Sequence, residues 1–329
     1  MRLLNFIARR PKLDTQPIFA GEFRLSVLRL TFASAVFTLA VSPVLASAQV
    51  PLAPTAAAHA AGDPLRLFSD SRMITGPRIS VEVVGSGRDI ILIPGLASSR
   101  ETWRRTAERL RARYRVHLVQ VAGFAGEPPR ANATGAFFEP VLADIDAYAA
   151  GLRTRPIVMG HSLGGTLGLA MAERHPEHLS RLLIVDALPF FGVVMGGPSA
   201  TVETVRPMAQ AMRAQMRGRM PEAMARRMMA QMVTAPADVD RVIAWSMASE
   251  PSVVASATTD DMLADLRPGL ASVRTPVTVL YESALEAFIQ AGYATLGPKT
   301  LVVIPDSKHF IMYDQPTRFD AEVDAFLRR

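Results

Sequence analysis

"PIVMGHSLGGTLGLAMAERHP", residues 156–176, runs from apolar residues through a Gly-His-Ser-Leu-Gly-Gly turn into a helix-favouring stretch. A serine at the apex of such a turn is poorly placed for packing and well placed for attack. Gly160 and Gly164 allow a strand and a helix to approach closely around it. The helix starting near Leu163 aims backbone N–H groups and its positive dipole end at the same spot. As a bare pattern Gly-x-Ser-x-Gly is weak. Between a strand and a helix it describes a strained turn that projects the Ser162 hydroxyl.

Outward from this turn, short apolar runs alternate with helical patterns. Strands are expected over residues 79–85, 89–95, 115–123, 156–159, 181–187, 276–281 and 300–306. Helices are expected over residues 100–114 and 138–152, after Ser162, and in the closing amphipathic residues 316–329. Apolar strands separated by helices require crossover connections, which predicts an α/β fold with a mainly parallel sheet covered on both faces.

One block breaks the alternation. Residues 188–270 contain no convincing strand and hold eleven of the sixteen methionines. Met208, Met212, Met216, Met220, Met224, Met228 and Met232 recur at every fourth position, a spacing that keeps neighbours on one helical face. Pro221 divides the segment into two helices. Core packing accounts for any single methionine, while the set also reads as an adaptable apolar surface. Residues 188–270 are therefore expected to form a Met-rich helical cap, inserted into a core of residues 67–187 and 271–329. Arg206, Arg213, Arg217 and Arg219 in this block read as a solvated face.

A serine needs a base to act as a nucleophile at neutral pH. Of six histidines, His59 lies in an Ala/Pro-rich stretch, His117 within a strand, and His175 and His178 at the far end of the Ser162 helix. His161 is locked beside the serine with its side chain expected to point away. His309, in "IPDSKHFIMYDQP" just past the last strand, stands where catalytic residues of parallel sheets collect. An oxyanion needs donors, and the turn in "LIPGLASS" supplies the backbone N–H of Leu96 to join that of Leu163.

"GHSLGG", "PGLASSRETW", the insertion after "LLIVDALP" and the closing "SKHFIMYDQP" follow one another as in the α/β-hydrolase superfamily, which the chain resembles from about Leu67 to its C-terminus. The resemblance implies an eight-stranded, mostly parallel sheet, a Ser–His–acid triad and hydrolysis of esters or related acyl compounds. Two positions depart from the pattern. Pro94 stands where the family commonly has His, and "LYESALEAF" holds no Asp where the acid commonly follows the seventh strand. Asp186, at the end of the strand after the Ser162 helix, is the first candidate for the acid, as in some branches of the superfamily. Glu282 and then Glu286 are the alternatives.

These residues predict a serine hydrolase cleaving a carboxylic ester, lactone or similar small apolar acyl compound through an acyl-enzyme. Acyl transfer or cofactor-free perhydrolysis would use the same triad, and an inactive hydrolase fold would serve as a binding module. No cofactor is implied, and the scattered histidines with no cysteine offer no metal-ligand spacing.

The net charge of +6 is mostly leader. Residues 1–48 carry six basic and two acidic residues, and removing them leaves 30 basic against 28 acidic, a net of +2. No basic cluster interleaved with aromatics remains, which argues against nucleic acid. Basic residues, the apolar run Leu30–Ala46 and Ala46-Ser47-Ala48 together read as a cleavable signal peptide rather than an anchor. Arg9-Arg10 raises twin-arginine export only weakly, since Pro11 follows it. Residues 49–66 read as an Ala/Pro-rich tether. The mature protein is expected in the periplasm or outside the cell, without disulfides or a stable membrane anchor. Mass spectrometry of protein from the native host should find Gln49 as the mature N-terminus; full-length chain in the membrane fraction would refute this.

Overall fold

The computed structural model describes residues 65–329 except Arg217 and Arg219, so the expected leader and nearly all of the tether lie outside the described residues. Eight strands form one sheet: β1 (Arg72–Thr75), β2 (Ile79–Gly85), β3 (Arg88–Ile93), β4 (Tyr114–Val121), β5 (Ile157–His161), β6 (Arg181–Val185), β7 (Val277–Glu282) and β8 (Lys299–Ile304). Their order is β1-β2-β4-β3-β5-β6-β7-β8. The pairs β1–β2 and β2–β4 are antiparallel, and every other pair is parallel.

The central strands are mostly apolar because both faces are covered. Alternate residues serve opposite layers. Ile91, Ile93, Val158 and Ile184 pack with α2 (Phe138–Ala150) and α3 (Leu163–Arg174), through Ile145, Leu167 and Leu169. Ile90, Leu92, Met159 and Leu183 face Trp103, Leu110 of α1 (Arg104–Leu110) and the carboxy-terminal helix, through Phe319, Val323 and Phe326. That period of two fixes the register, since a slip by one residue would exchange the two faces.

Between β6 and β7 the chain forms only helices: α4 (Gly192–Gly196), α5 (Val202–Gln215), α6 (Glu222–Met229), α7 (Pro236–Ala248) and α8 (Pro251–Leu263). Pro221 separates α5 from α6, with extended backbone at ψ 135°. This cap has no apolar core of its own. Val205 and Ala209 of α5 with Val253 and Met262 of α8 join one layer of the body, while Val239, Ile243 and Trp245 of α7 join the other. The methionine series is neither core nor a free surface. Met208, Met212 and Met232 are half-buried against the two cores, and Met228 is 42% exposed. Three helices complete the body, α9 (Glu286–Gly292), α10 (Ile311–Asp314) and α11 (Pro316–Arg328).

Two expectations are corrected in detail. The helix expected over 100–114 is a 3-10 turn, Arg100–Trp103, followed by the short α1, because Tyr114 is already paired with Arg88 in the sheet. The strand β1 and the helix α9 were not anticipated. Among the described residues no helix is long and apolar enough to cross a membrane.

The join between β5 and α3 is sterically closed. A Cβ at position 160 would lie 2.1 Å from the Gly164 carbonyl oxygen, and one at position 164 would lie 2.4 Å from the Ile93 carbonyl oxygen. Both obstacles are backbone, so they cannot step aside. Gly164→Ala should therefore cost more than the ~1–3 kcal/mol of ordinary overpacking, read as a lower urea midpoint. Gly218→Ala, where a Cβ meets nothing within 4 Å, is the control and should leave the midpoint close to that of the parent.

Candidate active site

Ser162 lies between β5 and α3 with φ 53° and ψ −127°, a left-handed backbone that a side-chain-bearing residue adopts only under constraint. The constraint is visible on both sides. Its N–H donates to the Val185 carbonyl at 2.9 Å, and its own carbonyl accepts from Gly165 (2.7 Å) and Thr166 (3.1 Å) as α3 begins. The turn after β3 presses against it: a Cβ on Gly95 would lie 3.0 Å from the Ser162 Cβ. Leu96, the next residue, and Leu163, in the first turn of α3, are thereby beside the serine. N–H groups of a first helical turn have no partner inside the helix, which leaves that of Leu163 available. Gln120 of β4 holds the far end of the same turn, accepting from the Arg100 N–H (2.8 Å) and donating to the Ser98 carbonyl (3.2 Å).

Asp186, directly after β6, is 2% exposed and also has a positive φ, 51°. One oxygen accepts the Glu282 N–H at 2.9 Å, and the other lies 2.7 Å from His309 Nδ1. Its own N–H donates to the Leu280 carbonyl, so backbone and side chain are both tied to strand β7. With Nδ1 engaged, the Nε2 of His309 is the nitrogen left for the serine side. The His309 ring lies over that of His161, centroids 4.7 Å apart, which sets it next to the residue preceding Ser162. No hydrogen bond joins Ser162 Oγ to His309 among the described residues, a looseness common in such sites before substrate binds.

Of the three candidate acids the structure brings Asp186 to His309. Glu282 gives its N–H to Asp186, and its carboxyl lies close enough to feel the charges of Asp186 and His309 without a hydrogen bond to either. Glu286 opens α9 and accepts from Gln290 at 3.0 Å, so it is turned elsewhere.

His161 differs from its expectation. It does not point away from the site but lies under it. Fully buried, it donates through Nε2 to the His309 carbonyl at 3.0 Å. Burial, and then the neighbouring His309, pushes its pKa well below the ordinary histidine value, so the ring is neutral. The loop of His309 is also tied to the cap. Phe310 N–H donates to the Met232 carbonyl (3.0 Å), Lys308 Nζ to that of Ala230 (2.6 Å), and Asp314 accepts from both Thr234 and Lys308 N–H (2.8 Å each).

Three carboxyls face the His309 ring. Burial opposes its charged form, but the hydrogen bond and charge of Asp186, joined by Glu282 and Asp261, outweigh burial and raise its pKa. Burial and the nearby Asp186 push Glu282 up to about 7. Asp261 of α8, 8% exposed, is pushed up to about 7 by burial. Sequence reading passed over Asp261, Gln120 and the role of His161, since only tertiary contact gives them meaning.

The arrangement sets a serine on a strained turn near a carboxylate-oriented imidazole and the first turn of a helix, parts that acyl transfer to and from a hydroxyl can use. Elsewhere the fold corrects the view that the histidines are scattered. Asp146, His175 and His178 offer ligand atoms within 4.8 Å of one another at the opposite end of α3 from Ser162. His178 Nδ1 is hydrogen-bonded to Asp146 Oδ1 at 2.8 Å.

Residues 90–322 match the model of the alpha/beta hydrolase family, and the chain belongs to that family. It is 35% identical over 113 residues to a pimeloyl-[acyl-carrier protein] methyl ester esterase of Aeromonas hydrophila, a match covering 34% of this chain and 43% of that protein. The match to the protein of that name from Pectobacterium carotovorum is longer, 28% identical over 253 residues, covering 74% of this chain and 95% of the relative. Among solved structures, the enol-lactonase of Burkholderia xenovorans superposes with a TM-score of 0.64 at 19% identity, over 76% of this chain and 96% of that one. At that identity the likeness is one of fold.

Free histidine titrates near 6.5. In an NMR titration the His309 ring should therefore change charge above about 6.5, and Glu282→Gln should move its midpoint down by removing a negative neighbour. Glu282 and Asp261 titrate in the same range, so the curve is to be read as a coupled one.

Proposed function

We propose that this chain is a serine hydrolase of carboxylic esters or lactones that works through an acyl-enzyme. Ser162 Oγ attacks the carbonyl carbon while His309 Nε2 takes its proton. The Leu96 and Leu163 N–H groups receive the oxyanion, and His309 returns the proton to the departing alkoxide. Water, activated by the same imidazole, then releases the acid and restores Ser162. Asp186 holds the tautomer that leaves Nε2 unprotonated and stabilises the imidazolium as it forms.

The observation that carries this reading is the 2.7 Å contact between Asp186 and His309 Nδ1, beside a serine held at φ 53°. Curated relatives named as methyl ester esterases lend support to ester cleavage. The half-buried methionines of the cap suit an apolar acyl group, since binding pockets are mostly apolar with a few placed polar groups. The mature enzyme is taken to act after export, released by cleavage after Ala48.

Ser162→Ala and His309→Ala should each lower kcat on p-nitrophenyl butyrate by roughly 10⁴-fold or more, and the double variant should be little worse than either. Asp186→Asn should cost roughly 10⁴-fold in kcat with little change in KM. A fluorophosphonate probe should label Ser162, and labelling that survives in Ser162→Ala would overturn the assignment. A large loss in Glu282→Gln with a near-normal Asp186→Asn would move the acid to β7.

A further inference from the structure

Two successive aspartates of α8 have different surroundings. Asp260 Oδ2 accepts the N–H groups of Phe137 (2.6 Å) and Phe138 (3.2 Å), which ties the cap helix to the start of α2. Asp261 is buried instead. The Thr166 side chain of α3 and the His309 ring are near enough to bear on the charge of its carboxyl. Thr166 lies on α3 one turn beyond Ser162, whose carbonyl takes its N–H. The carboxyl is thus placed between the cap, the nucleophile's own helix and the base. Its Oδ1 is buried and has no hydrogen-bond partner.

A cap-to-body strut does not account for this. An asparagine would fill the same place without the cost of burying an ionisable group, and Asp260 already makes the tether. An acceptor oxygen left open in a dry site is costly to the folded state and gains its return when a donor arrives. A titratable group held in such surroundings next to catalytic machinery is a functional candidate.

We infer that Asp261 is a specificity-determining residue, whose open Oδ1 receives a hydrogen-bond donor, a hydroxyl or an amide N–H, carried by the ester substrate within a few bonds of the scissile carbonyl. The inference rests on the ester-hydrolase reading above and narrows it: the preferred ester is apolar except for one donor. The distance from carbonyl to donor is short because one helical turn separates Thr166 from Ser162. Oδ1 accepts in both states of the carboxyl. Burial raises this group to about 7, so it is largely neutral below that pH and charged above it. Above that range the charge strengthens the bond to a neutral donor and repels an anionic substrate.

The experiment uses the purified enzyme and matched methyl esters in a pH-stat: methyl 3-hydroxybutyrate against methyl butyrate, and methyl N-acetylglycinate against methyl pentanoate. The donor-bearing member of at least one pair should be preferred by about 10-fold or more in kcat/KM. Asp261→Asn, which keeps an acceptor oxygen, should retain most of that preference. Asp261→Leu should reduce the ratio to near one, and Asp261→Ala reads the same loss without added bulk should the Leu variant not fold. The folded-state pKa of Asp261 lies above its unfolded value, so its ionisation destabilises the native state as pH rises from about 4 to about 7. The gain in Tm from Asp261→Asn should therefore be larger at pH 8 than at pH 4.

Ratios near one for both pairs in the parent enzyme would overturn the inference. So would an Asp261→Ala enzyme with lowered Tm and an unchanged ratio, since that is the behaviour of a strut. If none of the four esters is turned over, the ester-hydrolase reading falls and takes the inference with it. Equal turnover within both pairs removes the inference alone.

Discussion

The closeness of three backbone segments around Ser162 sets the terms for everything else in the molecule. Strand β5, helix α3 and the turn after β3 meet with no room for a side chain at positions 160 and 164, and almost none at 95. Because the chain cannot relax there, the serine keeps its left-handed backbone, and the strain is borne by the buried central strands on either side. The same closeness brings the turn that carries Leu96 against Ser162 at the start of α3. A β-sheet whose central strands are buried on both faces provides the rigid mount, and Ser162, Asp186 and His309 follow the carboxyl ends of its strands.

The second organising feature is electrical. His309 is surrounded by carboxyls of unlike character: Asp186 takes two hydrogen bonds, whereas Glu282 and Asp261 are raised to about 7. Burial or a like charge favours the neutral form of a carboxyl. Environment alone therefore divides the work among them, one orienting the ring and two adding charge only as the pH rises. Below them, His161 is kept neutral, so it can brace the His309 carbonyl without adding positive charge to the site.

Much of this was legible in the chain. The alternation of apolar runs and helical patterns gave the α/β class, and "GHSLGG" between a strand and a helix singled out Ser162. His309 followed from its place after the last strand. The acid did not follow, because Asp186, Glu282 and Glu286 all stand near strand ends and only packing decides which one meets the ring. Strand β1 was missed because "RMIT" is short, half-exposed and lacks apolar alternation. The run 100–114 carried a helical pattern that the pairing of Tyr114 with β3 overrode. Asp261 gave no signal at all: in sequence it is one of two adjacent aspartates in a helix, and its burial depends on how α8 packs on α5, α2 and α4.

The bonds between the His309 loop and residues 230–234 bear on how such an enzyme can diverge. An inserted cap invites the view of an exchangeable module that sets substrate scope while the body keeps the chemistry. Here the carbonyls of Ala230 and Met232 and the N–H of Thr234 form part of the mount on which the His309 loop rests. A cap borrowed from another member would arrive with its own backbone at that seam and leave the loop to find new anchors. The cap and the placing of His309 are inherited together, so drift in the cap is confined to residues that leave this short seam intact.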